Sequence, residues 1–215
     1  MLGEGGTKKT MKTSLQASKS VLSLIDHQSN LFNGIMSHKP AYVKNNVLAL
    51  ARGASILGIP VVLTVISPQT NGPMIPEITE MFPDVSVIVR KHPSFNAFDE
   101  PEFVQAIRNT GRKQLVLTGL WTSMCMSFSA QQALQEGFEV FGVMDTSGSE
   151  SLDAYNMAVQ RMTGAGVIPC TWMQTVSEWM DNWLNPKAGD MFTQVYCPYS
   201  KGNPFFDQDM PEGTN

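Results

Sequence analysis

Short apolar runs rich in β-branched residues recur along the chain, and stretches with helical spacing separate most of them. Six runs are typical of buried strands: Val21–Asp26, Ile59–Ile66, Val85–Lys91, Gln114–Leu120, Phe138–Asp145 and Val167–Trp172. This alternation predicts right-handed βαβ crossovers, and therefore an α/β fold of three αβα layers around a mostly parallel six-stranded sheet. Folds of this kind bind and react just beyond the carboxyl ends of the strands.

The segments between these runs predict the helices. Helical spacing covers Tyr42–Leu57, Asp99 to near Gly111, Trp121–Gly137 (a turn and a helix), Leu152–Gly164 and Val176–Trp183, whereas Ser67–Pro83 is predicted to be a long loop. In the second helix we expect Asp99 as the N-cap and Glu102 as its reciprocal partner. We predict a flexible N-terminal arm over residues 1–20, one domain over 21–184, and an interface-forming C-terminal extension over 185–215.

The composition limits the classes of function. Hydrophobic residues make up 42% of the 215 and charged residues only 16%, which suggests a surface partly covered by another subunit. A net charge of −4 argues against nucleic-acid binding, and no apolar stretch reaches the length of a membrane span. Three cysteines do not form a disulfide framework, so we expect a reducing, cytoplasmic location. No phosphate-binding glycine motif is present, and we expect no cofactor.

Three reactive side chains fall at predicted strand ends: Asp26, Lys91 and Cys125. Cys125 follows a strand and a short turn and opens a helix, where backbone N–H groups stabilise a thiolate and an oxyanion. Each has a simpler interpretation. Cys125 fits a buried structural thiol, Asp26 a solvated carboxylate, and Lys91 a surface lysine beside Arg90.

Together the three side chains are chemically complementary. Asp26 is the base that a Cys125 thiol needs, and the Lys91 cation would stabilise the ionised groups. The histidines, His27, His38 and His92, do not provide a base or the short spacings of a metal site, so we predict no metal. Of the other cysteines, we expect Cys170 in the core and Cys197 in the tail.

Around these residues the sequence resembles the isochorismatase-like cysteine hydrolases, and among them the bacterial YcaC-like subgroup. The resemblance rests on six segments: LIDHQSNLF, NNVLALARGASILGIPVVLT, NGPMIPEITEMFPD, RKHPSFNAFDEPEF, TGLWTSMCMSFSAQQALQEGFEVFGVMDTSG and RMTGAGVIPCTW. It spans roughly Val21 to Asp181, and it implies an isochorismatase-like variant of the Rossmann-like fold.

The resemblance also implies roles for individual residues. It assigns a catalytic triad to Asp26, Lys91 and Cys125, and a non-proline cis peptide bond to Leu120–Trp121, which aims the Trp121 and Cys125 N–H groups at one oxyanion. We expect the pocket wall to include the Ser67–Pro76 loop and these substrate-binding residues: Phe32, Phe95, Asn96, Trp121 and Thr122. Family members form homo-oligomers, often octamers, so we expect one here.

Two departures from related branches narrow the reaction. The nicotinamidase branch carries a metal-binding Asp-x-His set that has no counterpart here, and isochorismatases that cleave an enol ether lack the cysteine that this chain has at 125. The sequence therefore predicts a cysteine-dependent hydrolase that cleaves a small-molecule amide or related C–N bond through a thioester. A thiol-based redox sensor or scavenger and a non-catalytic oligomeric protein remain as alternatives.

Overall fold

A computed structural model describes residues 14–200, and in it a single six-stranded parallel sheet forms the centre of the domain. The strands are β1 (Ser20–Ile25), β2 (Val61–Ile66), β3 (Val87–Arg90), β4 (Gln114–Gly119), β5 (Glu139–Val143) and β6 (Ile168–Cys170). Their order is β3-β2-β1-β4-β5-β6, with every pair parallel. The chain therefore reverses its direction of winding between β1 and β4, which is where ligands bind in open parallel sheets.

Helices cover both faces of the sheet, which confirms the predicted three-layer fold. Their bounds are α1 (Ser29–Phe32), α2 (Pro40–Leu57), α3 (Pro68–Asn71), α4 (Pro76–Met81), α5 (Pro101–Asn109), α6 (Ser127–Gln135), α7 (Leu152–Ala165), α8 (Trp172–Met180), α9 (Ala188–Met191) and α10 (Cys197–Tyr199). α2 ends at Leu57, as predicted, and its C-cap is Gly58, whose positive φ of 65° suits a residue without a Cβ.

The alternation of side chains along β1 separates two hydrophobic cores. Leu22 and Leu24 pack into the core beneath α2 and α8, whereas Val21 and Ile25 pack into the core beneath α5 and α6. All four side chains are fully buried, because β1 lies in the middle of the sheet with a helical layer on each side.

Several predicted elements differ from the observed ones. The predicted loop Ser67–Pro83 contains the short helices α3 and α4, each of which begins with a proline at its first turn. Trp172 opens α8 rather than ending β6, because the Thr171 hydroxyl accepts a hydrogen bond from the Gln174 N–H and so caps the helix.

The start of α5 also differs from the prediction. The N-cap is Glu100, and the predicted cap Asp99 instead lies in a 3₁₀ turn, where its carboxylate accepts hydrogen bonds from Ser94 and Asn96. Because these loop side chains engage Asp99, its carboxylate serves the loop before α5 rather than the helix.

Both predicted terminal segments are partly packed on the domain. Leu15 is buried and its N–H donates to Glu178 at 2.6 Å, so residues 14–19 lie against α8. Met191 and Val195 are fully buried in the core beneath α2. The rest of the predicted arm and extension, residues 1–13 and 201–215, lies outside the described residues. Between residues 14 and 200 no helix has both the length and the hydropathy of a membrane span.

Candidate active site

Three polar side chains from separate strand ends meet at the winding reversal. Asp26 directly follows β1, Arg90 is the last residue of β3, and Cys125 lies in the turn after β4. One guanidinium nitrogen of Arg90, Nη2, donates to Asp26 Oδ2 and lies 3.7 Å from Cys125 Sγ. The arrangement places a carboxylate, a permanent cation and a thiol in mutual contact.

Asp26 is a fully buried carboxylate with a complete set of partners. Thr64 Oγ1 donates to its Oδ1 at 3.0 Å, and Arg90 binds its Oδ2. Burial raises the pKa of Asp26, while the Arg90 charge and the hydrogen bonds from Cys125 and Thr64 act in the opposite direction. Its backbone has a φ of 57°, a conformation that aspartate tolerates better than most residues, and this turns the chain sharply away from β1.

Cys125 is buried, and its thiol shares a hydrogen bond with the Asp26 carboxylate. Burial, reinforced by the negative charge of Asp26, raises the pKa of the Cys125 thiol to about 12, and only Arg90 acts to lower it. The thiol is therefore protonated at neutral pH. It becomes a nucleophile only when a neighbouring base removes its proton, and Asp26 is in contact to do so.

The predicted placement of Lys91 beside this pair is wrong by one residue. Lys91 is exposed, and its N–H donates to Glu100 Oε2 at 2.6 Å, whereas the neighbouring Arg90 side chain is only 1% exposed. Successive side chains of a strand point to opposite faces, and Ile88 and Arg90 share the inward face of β3. This alternation in the sequence VSVIVRK is the signal that could have identified Arg90.

The turn that carries Cys125 begins with the implied cis peptide bond between Leu120 and Trp121, and continues as the π-helical turn Thr122–Met126. The Thr122 N–H donates to Gly148 O at 2.8 Å, and the Ser123 N–H to Ser149 Oγ at 3.1 Å. Within residues 14–200 no group accepts a hydrogen bond from the Trp121 N–H. The role of Trp121 as a donor to an oxyanion stays a prediction.

The predicted substrate-binding residues near the nucleophile have different surroundings. Trp121 is half-buried, and its indole Nε1–H donates to Leu31 O at 2.9 Å. Thr122 is fully buried, with its hydroxyl 2.7 Å from Ser147 Oγ, and Phe32 is packed in the core. Trp121 is therefore partly accessible, whereas Thr122 and Phe32 are buried.

The other two predicted substrate-binding residues lie on the loop after β3. Phe95 is 56% exposed and stacks on Phe128 with ring centroids 6.4 Å apart. The Asn96 side chain accepts from the Phe98 N–H and donates to Asp99, both at 3.0 Å. Asn96 is thus held within its own loop, and Phe95 is the more accessible of the two.

The remaining candidates from the sequence occupy structural positions. His27 is fully buried, its Nε2–H donates to Thr146 O at 3.1 Å, and burial lowers its pKa to about 4, so the ring is neutral. Cys170 is buried in β6, as expected, and Cys197 is half-buried. The described part of the chain contains no group of three His, Cys, Asp or Glu residues arranged to hold a metal ion.

Comparisons with known proteins match most of the domain. The family model for the isochorismatase domain matches residues 20–174. The chain is 36% identical to the probable hydrolase YcaC of Escherichia coli over 176 residues, which are 81% of this chain and 84% of that protein. These matches confirm the resemblance to the YcaC-like subgroup.

Solved structures of two relatives share the fold. The Escherichia coli YcaC gene product, an octameric hydrolase of unknown specificity, superposes with a TM-score of 0.82 at 36% identity, covering 87% of this chain and 93% of that chain. YcaC from Pseudomonas aeruginosa, solved with hexane-2,5-diol and covalent acrylamide, gives a TM-score of 0.82 at 35% identity, covering 88% and 95%.

Proposed function

Since the chain belongs to the isochorismatase family, we propose that it hydrolyses an amide or a related C–N bond of a small molecule through a thioester on Cys125. The observation that carries the proposal is the contact of the Cys125 thiol with the buried Asp26 carboxylate, next to the Arg90 guanidinium. A protonated thiol beside a base with a raised pKa is suited to proton transfer at the moment of attack.

Acylation uses Asp26 as base and then as acid. The carboxylate takes the Cys125 proton, the thiolate attacks the substrate carbonyl carbon, and a C–S bond forms as the carbonyl becomes an oxyanion. The backbone N–H groups of Trp121 and Cys125 hold that oxyanion. Asp26 returns its proton to the nitrogen as the C–N bond breaks, so the amine leaves neutral and the thioester remains.

Deacylation repeats the sequence with water. Asp26 removes a proton from water, the resulting hydroxide attacks the thioester, and the C–S bond breaks to release a carboxylic acid. The Cys125 sulfur recovers its proton from Asp26. The net reaction consumes one amide and one water and yields one acid and one amine, so no cofactor is required.

Arg90 keeps the site electrically balanced but donates no proton. A guanidinium stays charged throughout the physiological range, unlike a buried lysine, whose pKa shifts readily. Its contacts with both Asp26 and Cys125 therefore stabilise the negative charge on whichever of the two carries it. All proton transfer in this proposal consequently passes through Asp26.

The relatives support a reactive site and an oligomer. The Pseudomonas aeruginosa YcaC structure holds covalent acrylamide, which is a small electrophilic amide. The Escherichia coli protein is an octamer, and Leu184 and Met36 of this chain are 92% and 74% exposed. We propose a homo-oligomer here too, which a sedimentation profile with a single monomeric species would contradict.

A redox sensor fits the site less well. Sensor cysteines carry a low pKa and are accessible to oxidants, whereas Cys125 is buried and burial raises its pKa to about 12. The hydrolase is favoured because its general base generates the thiolate only during turnover.

Mass spectrometry of the acid-quenched reaction, combined with an assay of acid release, tests the proposal. The full chain is incubated with a panel of small amides, carbamates and imides, then quenched in acid and weighed. We expect an adduct of acyl mass on the peptide that contains Cys125, together with steady-state release of the acid. Cys125→Ala should lose both, and the matched variant Cys197→Ala should keep both. Full turnover by Cys125→Ala would rule out the thioester, and no turnover of any compound would favour the non-catalytic alternative.

A further inference from the structure

A buried carboxylate outside the triad, Glu100, holds the backbone that immediately follows Arg90. Its Oε2 accepts a hydrogen bond from the Lys91 N–H at 2.6 Å and lies 3.5 Å from His92 Nδ1. The His92 N–H is a further donor to the same carboxylate, and the Glu100 side chain is only 6% exposed. These donors, with the Lys91 N–H foremost, lower the pKa of Glu100, so the group is ionised at neutral pH.

Glu100 is itself anchored at the start of α5. Its N–H donates to Ala97 O at 3.1 Å, and its carbonyl accepts from the Val104 N–H at 3.2 Å. A charge buried in such a place is unfavourable unless it is fully hydrogen-bonded, and here its partners are backbone groups at the end of β3. The carboxylate therefore connects α5 to the residue pair that follows the guanidinium.

The loop from Lys91 to Asp99 is attached at two further points. Arg90 Nη1 donates to Ser94 O at 2.9 Å, so the guanidinium itself is tied to the loop. The Ala97 N–H donates at 2.8 Å to Oγ of Ser129, which is fully buried and lies one helical turn beyond Cys125. One short loop thus connects the cation of the site to the helix that continues from the nucleophile.

We propose that Glu100 is a positioning residue: by holding the backbone N–H groups after Arg90, it keeps the Arg90 guanidinium in contact with Asp26 and Cys125. The importance of this position for turnover rests on the proposed use of Cys125 as the nucleophile. The effect of Glu100 on the pKa of the Cys125 thiol does not rest on that proposal, because the Arg90 charge acts on Cys125 whether or not a substrate is present.

The expected consequence concerns the acidity of the Cys125 thiol. Asp26 and Arg90 are the charged groups that face it: Asp26 raises the pKa of the thiol and Arg90 lowers it. If the Arg90 guanidinium moves away, the lowering contribution is lost and the thiol becomes harder to ionise. Each unit by which the pKa rises reduces the thiolate fraction about tenfold.

The test is the alkylation rate of Cys125 by iodoacetamide between pH 7 and 10.5, followed on the Cys125 peptide by mass spectrometry of the full chain. Glu100→Gln keeps the shape of the side chain but removes its charge. We expect it to react about threefold to tenfold more slowly than the parent at each pH, given that one pKa unit is a factor of about ten. Glu102→Gln, on the exposed first turn of α5, is the matched control and should leave the profile unchanged.

Ser129→Ala releases the same loop at its other attachment and should slow alkylation in the same direction by a smaller factor. If Glu100→Gln does not fold, this second variant decides the matter. A lowered melting temperature with an unchanged alkylation profile, in whichever variant folds, would show that the residue is merely structural and would overturn the proposal. Alkylation needs no substrate, so failure of the amide panel would reject the hydrolase and leave this result standing.

Discussion

The sheet presents its candidate catalytic groups at two kinds of strand end, one at its centre and one at its edge. β1 has neighbours on both sides and all six of its residues are buried, whereas β3 pairs only with β2 and its Val89 is 46% exposed between the buried Ile88 and Arg90. At a central strand every side chain faces protein. At the edge, a shift of one residue separates a buried group from a solvated one.

This difference explains why two of the three sequence-derived residues lie together and the third does not. Asp26 and Cys125 follow the adjacent central strands β1 and β4, so their places after the strand ends suffice to bring them into contact. The cation comes from β3, which lies two strands away from β1. Side chains alternate along β3, so only every second one points toward the protein interior. At the end of the strand, that side chain is Arg90.

The central pair gives the largest expected effect. Asp26→Asn retains the shape of the side chain but cannot accept a proton, so we expect turnover of the best amide substrate to fall by about 10²–10⁴. Alkylation of Cys125 should change in the opposite direction and become faster, because the Asp26 charge raises the pKa of the thiol. Parallel kinetics of hydrolysis and iodoacetamide labelling check both signs. Slower labelling together with intact hydrolysis would remove Asp26 from the proposed mechanism.

At the edge strand β3 the comparison is between the adjacent residues Arg90 and Lys91. Arg90→Met leaves the buried Asp26 without its cation, and removal of one member of a buried pair costs about 3–5 kcal/mol of unfolding free energy, with loss of turnover. Lys91→Met is the matched control, and its exposed side chain should change stability by less than about 0.5 kcal/mol. Urea denaturation and amide turnover are measured for both variants. A larger loss of stability and turnover in Lys91→Met than in Arg90→Met would show that Lys91, and not Arg90, is the cation of the site.

The sequence was sufficient for the parallel fold and the central pair because both follow from the order of strands and helices. Six apolar runs alternating with helices predict the sheet, and the strand-end rule then selects Asp26 and Cys125. The edge strand needed finer information. The predicted strand Val85–Lys91 extends one residue beyond the observed carboxyl end of β3. The prediction therefore assigned the strand end to Lys91, whereas the last residue of β3 is Arg90.

The N-cap of α5 was mispredicted for a related reason. Local preference favours Asp99 as the cap, but its carboxylate accepts hydrogen bonds from Ser94 and Asn96, and the Glu100 carboxylate accepts one from the Lys91 N–H. Local capping preferences do not take into account the contacts that the folded loop makes. The role that we propose for Glu100 could therefore not be predicted from the sequence.

A third variant tests how rigidly the central turn is held. A Cβ added to Gly34 would lie 2.2 Å from Cζ2 of Trp121, so Gly34→Ala must displace the indole or the chain. We expect a loss of about 1–3 kcal/mol in unfolding free energy and a raised KM, since Trp121 forms part of the proposed site. Gly164→Ala on α7 meets nothing within 4 Å and should be neutral or stabilising by up to about 1 kcal/mol. Equal behaviour of the two variants would show that Trp121 is not fixed by this contact.

The smallest effect is expected at a strand end that has a carboxylate but, within residues 14–200, no cation among its contacts. Asp145 follows β5, accepts a hydrogen bond from the Trp172 N–H at 2.8 Å, and has a pKa raised by burial from 3.8 to about 6. Because the pKa of the folded state exceeds that of the unfolded state, the group contributes its full stability below about pH 4 and loses it as pH rises through 6.

Asp145→Asn stays neutral at every pH and so lacks this loss. The unfolding free energy of the variant relative to the parent should therefore increase between pH 4 and 7.5 by on the order of 1–2 kcal/mol, after allowance for its partial exposure. Urea denaturation at both pH values measures the difference, and Asp84→Asn, at an exposed turn, should show no such trend. If the unfolding free energies of Asp145→Asn and the parent changed equally between the two pH values, a strand-end carboxylate in this sheet would need no cation to remain ionised. The contrast that we draw between Asp26, which has Arg90, and Asp145 would then be wrong.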